Sequence, residues 1–125
     1  MSFSTDIAKY ANKVGLEVDD AVVAVCTEVS NEVIRNTPVA SGRLRGNWYA
    51  TIDTISDKTS DTRREAQAIA DANSKAMSAS GKVFNLTNNL PYAYRIEYLG
   101  WSNKAPAGFL RISVAKVENS LRSFR

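Results

Sequence analysis

Apolar residues spaced by threes and fours along the first third of the chain constrain its fold more than any other feature. Ile7, Ala11, Val14, Val18, Val22, Val25, Val29 and Val33 make one continuous stripe on a helix. Lys13, Glu17, Asp20, Asn31 and Arg35 lie off that stripe. Ser4 or Thr5 can cap the start, with Asp6 near the positive end of the dipole. Gly15 weakens the helix and offers a place to bend. Pro38 ends it, because Thr37 before a proline is pushed out of the α region. A second stripe closes the chain. From Pro106 onward, Ala107, Leu110, Val114, Val117, Leu121 and Phe124 alternate steps of three and four, and Arg122 and Arg125 favour the negative dipole end.

Between these two long helices the pattern changes. Asn47 to Ile55 reads as a strand, with Trp48, Ala50, Ile52 and Thr54 on one face and Tyr49, Thr51 and Asp53 on the wetter one. Thr59 to Ser80 reads as a helix capped by Ser60 or Asp61 and closed by Gly81. Its apolar side (Ala66, Ile69, Ala70, Ala76, Met77) is narrow, which marks it as peripheral. A mobile excursion over 56–81 is the alternative. Lys82 to Thr87 reads as a short strand, and Pro91 opens a short helix that Gly100 stops. The expected fold is α+β: a small antiparallel sheet packed against the N- and C-terminal helices, with one peripheral helix.

The chain has 125 residues, 44% hydrophobic and 23% charged, which fits one globular domain over 1–125. No apolar run approaches the roughly 18 residues of a membrane span. The opening Met-Ser-Phe-Ser-Thr-Asp lacks the basic and apolar regions of a secretory signal, so assembly in the cytoplasm is expected. Net charge is +3, with a pI near 9.1, and the basic residues are scattered, unlike a dense phosphate-binding tract. Histidine is absent, which removes Ser-His-Asp and Cys-His catalysis. Cys26 is the single cysteine and falls in an apolar helical stretch, so it reads as a small buried hydrophobe. The acidic groups Asp19-Asp20, Asp53/Asp57/Asp61 and Glu97/Glu118 lack the glycine-punctuated spacing of a calcium loop. No enzyme activity, cofactor or metal is expected.

Two islands of turn formers carry the remaining signal: Thr37-Pro-Val-Ala-Ser-Gly-Arg-Leu-Arg-Gly-Asn-Trp48 and Asn88-Asn-Leu-Pro-Tyr-Ala-Tyr-Arg-Ile-Glu-Tyr-Leu-Gly100. Both set arginines and large aromatics beside glycine and proline. That mixture suits a shaped surface gripped by another protein, because arginine and aromatics are enriched at interface centres. Taken in order, NTPVASGRLRGNW, TNNLPYAYRIEYLG and APAGFLRISVAKV, from Asn36 to about Val117, resemble the small neck and tail-completion (tail-terminator-like) proteins of long-tailed bacteriophages.

The resemblance implies a structural virion protein at the neck. It implies a homo-oligomeric ring, six-fold by expectation, that joins the head connector or stopper to the tail tube protein. DNA would pass through the lumen without specific binding. A head-side connector or stopper is the alternative within that class, and a small non-specific nucleic-acid-binding protein the alternative outside it. Subunit or partner contacts fall to Arg43, Leu44, Arg45, Tyr92, Tyr94, Tyr98 and Trp101. In an extended loop Arg43 and Arg45 point the same way, about 6–7 Å apart. They either pair within the chain, stay solvated, or contact a neighbour, and the flanking Gly42 and Gly46 favour assembly over folding. Trp48 reads as core. Trp101 is either a lid on the core or an anchor between subunits.

Overall fold

The computed structural model describes residues 3–15, 17–38, 42–91, 93, 97 and 110–122, and in it the N-terminal stripe is cut in two. Helix α1 runs over Phe3–Val14 and helix α2 over Val18–Asn36. Gly15 lies between them at φ 76, a left-handed conformation that glycine adopts without penalty and that a continuing helix cannot contain. The expected single helix is therefore two. Ser4 and Thr5 lie inside α1 instead of capping it.

The break resets the stripe. In α2 the buried residues are Ala21, Val25, Ser30, Val33 and Ile34, whereas Val18 is 52% exposed. The buried face is wider than one stripe because α2 packs against α1 and against two later helices, over Glu65–Ala76 and Leu110–Arg122. Ser30 can sit there because its hydroxyl donates to the Cys26 carbonyl at 2.6 Å. Thr37 ends the helix in extended backbone, as the following proline requires.

A four-residue helix, α3 (Arg43–Gly46), replaces the expected extended loop and leads into strand β1 (Trp48–Ile52). Strand β2 (Phe84–Asn88) pairs antiparallel with β1, Trp48 opposite Asn88 and Ile52 opposite Phe84. Trp48 and Ala50 are buried on the face that carries Leu86 and Phe84. Helix α4 covers Glu65–Ala76 only, and residues 53–64 before it are irregular but ordered by side-chain bonds. The Ser60 hydroxyl accepts from the backbone N–H of Thr62 and Arg63, so it holds a turn instead of capping the helix.

Helix α4 is central, not peripheral. Ala68 and Ala72 form one core cluster with Val33, Ile34, Trp48 and Ala50. The expected face was right at Ile69 and Ala76, which turn inward, and wrong elsewhere: Ala66 and Ala70 are exposed and Met77 is 76% exposed. Alanines at 68, 72 and 76 follow a clean step of four, and their small size lets the helix backbone approach the sheet. The last described helix, α5 (Leu110–Arg122), buries Ser113 and Val117 and adds Leu110 and Val114 to the core margin. Two bonds tie it to α2: Lys116 to Glu32 at 2.8 Å, and Asn36 to Ser113 at 3.2 Å.

Candidate interaction surface

The first island is a corner braced from inside the chain. Thr37 is fully buried and sits at its hub. Its hydroxyl donates to the Val33 carbonyl at 2.7 Å and accepts from the Trp48 indole at 2.9 Å. Its carbonyl accepts from Arg45 Nε at 2.6 Å, and the same guanidinium reaches Glu65 at 3.0 Å. Arg45 is thus built into the fold, joining the end of α2 to the start of α4. Arg43 takes a different direction and pairs at 2.9 Å with the exposed Asp61, its own side chain half-buried. The two arginines do not point the same way, because helical backbone at 43–46 replaces the alternation of an extended loop. Leu44, between them, is buried.

Gly46 is demanded by packing. A Cβ there would lie 1.9 Å from the Arg63 carbonyl oxygen. Arg63 in turn donates to the carbonyls of Gly46 at 3.1 Å and Trp48 at 2.6 Å, and lies 4.0 Å from the centre of the Tyr49 ring. Its guanidinium also meets Asp71 at 3.1 Å. Asp71 further accepts from the Ala50 N–H at 3.0 Å and from Lys75 at 3.0 Å. Burial pushes the Asp71 carboxyl up, but the Ala50 and Lys75 bonds and the Lys75 and Arg63 charges outweigh it and hold the group below its usual range. Asn47 completes the brace, donating to the Arg43 and Ser60 carbonyls while its own oxygen accepts the Ser60 N–H.

The second island meets this corner, and the last of the three resembling segments is joined to the second. Asn88 donates to the Leu44 carbonyl at 2.9 Å, and Leu44, Leu90 and Ala93 form a second apolar cluster. Glu97 is buried, and its carboxylate accepts the Leu110 N–H at 2.7 Å, joining the second island to that last segment. Tyr92, Tyr94, Tyr98 and Trp101 lie outside the described residues.

Sequence reasoning missed Arg63, Asp71, Asn47 and Asn89. Asn89 donates to the carbonyls of Ser56 and Lys58, so the two asparagines hold the middle of the 53–64 segment, from Ser56 to Ser60. Their only signal was polar residues at strand ends. A polar cleft of about 500 Å³ lies beside the same segment, lined in part by Tyr49, Lys58, Arg63, Asp71 and Lys75. Two of its cations already meet Asp71, which leaves it little to offer an anion. An apolar groove of about 290 Å³ opens elsewhere, between α2, β2 and α5. Cys26 lies on its wall, and burial raises the thiol above its ordinary value. Exposed apolar side chains include Ile55 at 74% and Val83 at 61%, near the end of the sheet where the Asp53 N–H donates to the Val83 carbonyl at 2.8 Å and the Asp53 carboxylate accepts the Val83 N–H at 2.9 Å.

Among the described residues no group of three or more acidic or cysteine side chains is placed to hold a metal, and no helix is long and apolar enough to cross a membrane. Comparison with protein-family models, with curated proteins and with solved structures returns no match.

Proposed function

We propose that this chain is a structural subunit of a bacteriophage neck, a tail-completion or tail-terminator component that joins the head connector to the tail tube as one member of a ring. One observation supports the reading above others. The three segments that carry the resemblance, separated along the chain, are joined in space, the first to the second through the Asn88–Leu44 bond and the Leu44–Leu90–Ala93 cluster and the second to the third through the Glu97–Leu110 bond. Residues kept together in space by such bonds and contacts form one shaped unit, as a docking module needs.

The role is mechanical. A rigid corner sets the angle between subunits, and exposed segments meet the proteins above and below. The scattered basic residues fit a lumen that lets DNA pass without gripping its phosphates. Removing the gene from a phage that encodes this chain tests the reading. Full heads and complete tails that fail to join, with joining restored by the supplied protein, are the expected result. Normal joined particles in its absence contradict it.

A further inference from the structure

Two doubly tied points bound a stretch of chain that little else holds. At one end Asp53 has left-handed backbone at φ 67 and meets Val83 twice, through its N–H at 2.8 Å and its carboxylate at 2.9 Å. At the other end Ser60 meets the Asn47 side chain twice, its N–H donating and its carbonyl accepting, each at 2.8 Å. Residues 54–59 between them belong to no helix or strand. Their one large apolar side chain, Ile55, is exposed, so closing the stretch onto the domain draws little on the hydrophobic effect. The polar cleft of about 500 Å³ lies between it and β1, with Thr54 to Lys58 on one side and Tyr49 to Thr51 on the other.

What holds the stretch is hydrogen bonding. The Thr54 carbonyl accepts from Asn85 at 3.2 Å and from the Thr51 hydroxyl, close to the first tied point. Beyond Thr54, among the described residues, Asn89 alone reaches across to it. The single amide group of Asn89 donates to the Ser56 carbonyl at 2.9 Å and to the Lys58 carbonyl at 3.0 Å. Between those two carbonyls the Lys58 N–H turns back on the Ser56 hydroxyl at 3.1 Å, which makes a compact turn able to move as one piece. Asn89 itself is firmly seated. Its neighbour Asn88 bonds the Leu44 carbonyl, and Leu90 on its other side is buried.

We propose that residues 54–59 form a strap that lifts from the outer side of the sheet as a unit while the core stays folded, and that Asn89 is the latch that holds it down. The strap turns about its two tied ends, Asp53 and Ser60. Side-chain bonds to partly exposed carbonyls supply a small part of a domain's stability. The strap therefore opens far more often than the whole domain unfolds. Lifting it widens the cleft and frees the side chains of Thr51 and Asn85 on the polar face of the sheet. This inference stands apart from the neck reading and survives or fails without it.

Trypsin reads the opening at the bond after Lys58, inside the strap. The folded full chain is digested at several urea concentrations below its unfolding transition. Mass spectrometry scores cleavage after Lys58 against cleavage after Lys116, in the middle of α5. Lifting a short strap exposes little surface, so cleavage after Lys58 should hardly change with urea, while cleavage after Lys116 should rise steeply. Asn89→Ala removes both bonds and should speed cleavage after Lys58 at least about threefold. Asn89→Asp, which keeps the shape and loses the donors, should do the same. Ala72→Leu strains the core and leaves the strap alone, so it should speed cleavage after Lys116 and not after Lys58. Equal urea dependence at the two sites overturns the proposal, since the segment would then open only with the domain. Unchanged cleavage after Lys58 in both Asn89 variants overturns it, and so does equal acceleration at both sites in Ala72→Leu. Loss of the fold in both Asn89 variants overturns it too, because Asn89 would then hold the domain and not a strap.

Discussion

Asp71 accepts the backbone N–H of Ala50 at 3.0 Å, so a carboxylate on a helix stands where the next strand of a sheet would otherwise be. The same carboxylate holds Arg63 and Lys75. Arg63 carries the brace on to the Gly46 and Trp48 carbonyls. A two-stranded sheet is marginal alone. Here one of its edges is fastened to the helix layer by charge-assisted bonds.

Replacing Asp71 with asparagine removes the charge and keeps the shape. The expected loss is about 1–3 kcal/mol at neutral pH, measured by urea unfolding. The carboxyl's folded pKa lies below its ordinary value of 3.8. Its contribution is therefore complete above the ordinary value and is lost as pH falls through the folded one. Wild type should lose more stability than Asp71→Asn on acidification into that range. Glu32 is also held below its ordinary 4.5, mainly by its bonds from Lys116 and Asn36, and loses its share in both proteins. Equal acid sensitivity of the two proteins would show that Asp71 carries no such linkage.

Glycine substitutions separate packing from backbone strain. Gly46→Ala forces a methyl to within 1.9 Å of a backbone oxygen, and a loss above about 3 kcal/mol is expected. Gly15→Ala meets open space, so only its positive φ matters, at about 1–2 kcal/mol. Denaturation midpoints of the two variants give the order directly, and the reverse order would mean the Gly46–Arg63 approach is not as close as described.

The paired arginines should part company. Arg43 pairs with an exposed Asp61, so Arg43→Ala changes stability by less than about 1 kcal/mol. Arg45 bonds a buried junction at Thr37, so Arg45→Ala costs about 1–3 kcal/mol. Thermal melts would show one transition unmoved and the other lowered by several degrees. Similar melts for both would return the two residues to a common role at the surface.

Helix α4 can be tested by volume. Ala72→Leu inserts a branched side chain where the helix approaches β1, and overpacking of this kind costs about 1–3 kcal/mol or more. Ala70→Leu on the exposed side should be neutral. Tolerance of leucine at 72 would place α4 at the periphery after all.

These contrasts also mark what the sequence could disclose. The α5 stripe, the inward face of β1 and the burial of Trp48 were readable because periodicity and side-chain size agree there. Val25 and Val33 were correctly placed inside. The break at Gly15 was read only as a bend, since a stripe of valines runs through it unbroken and only the backbone angle reveals the stop. The centrality of α4 was hidden because three spaced alanines carry little hydrophobic area, and what they contribute is close approach. Arg45 looked like a surface group because nothing local tells a solvated arginine from one aimed at a carbonyl eight residues earlier. Asp71, Arg63 and Asn47 act across 13 to 21 residues of chain, a distance at which spacing in one sequence says nothing.

The neck reading is tested most directly by imaging intact particles of a phage that encodes this chain. Symmetry-averaged density at the head–tail junction should show a closed ring of copies, with the Trp48 corner and α4 recognisable in each and DNA threading the lumen. A junction whose density leaves no place for this fold, or a single copy of the chain per particle, would contradict the account.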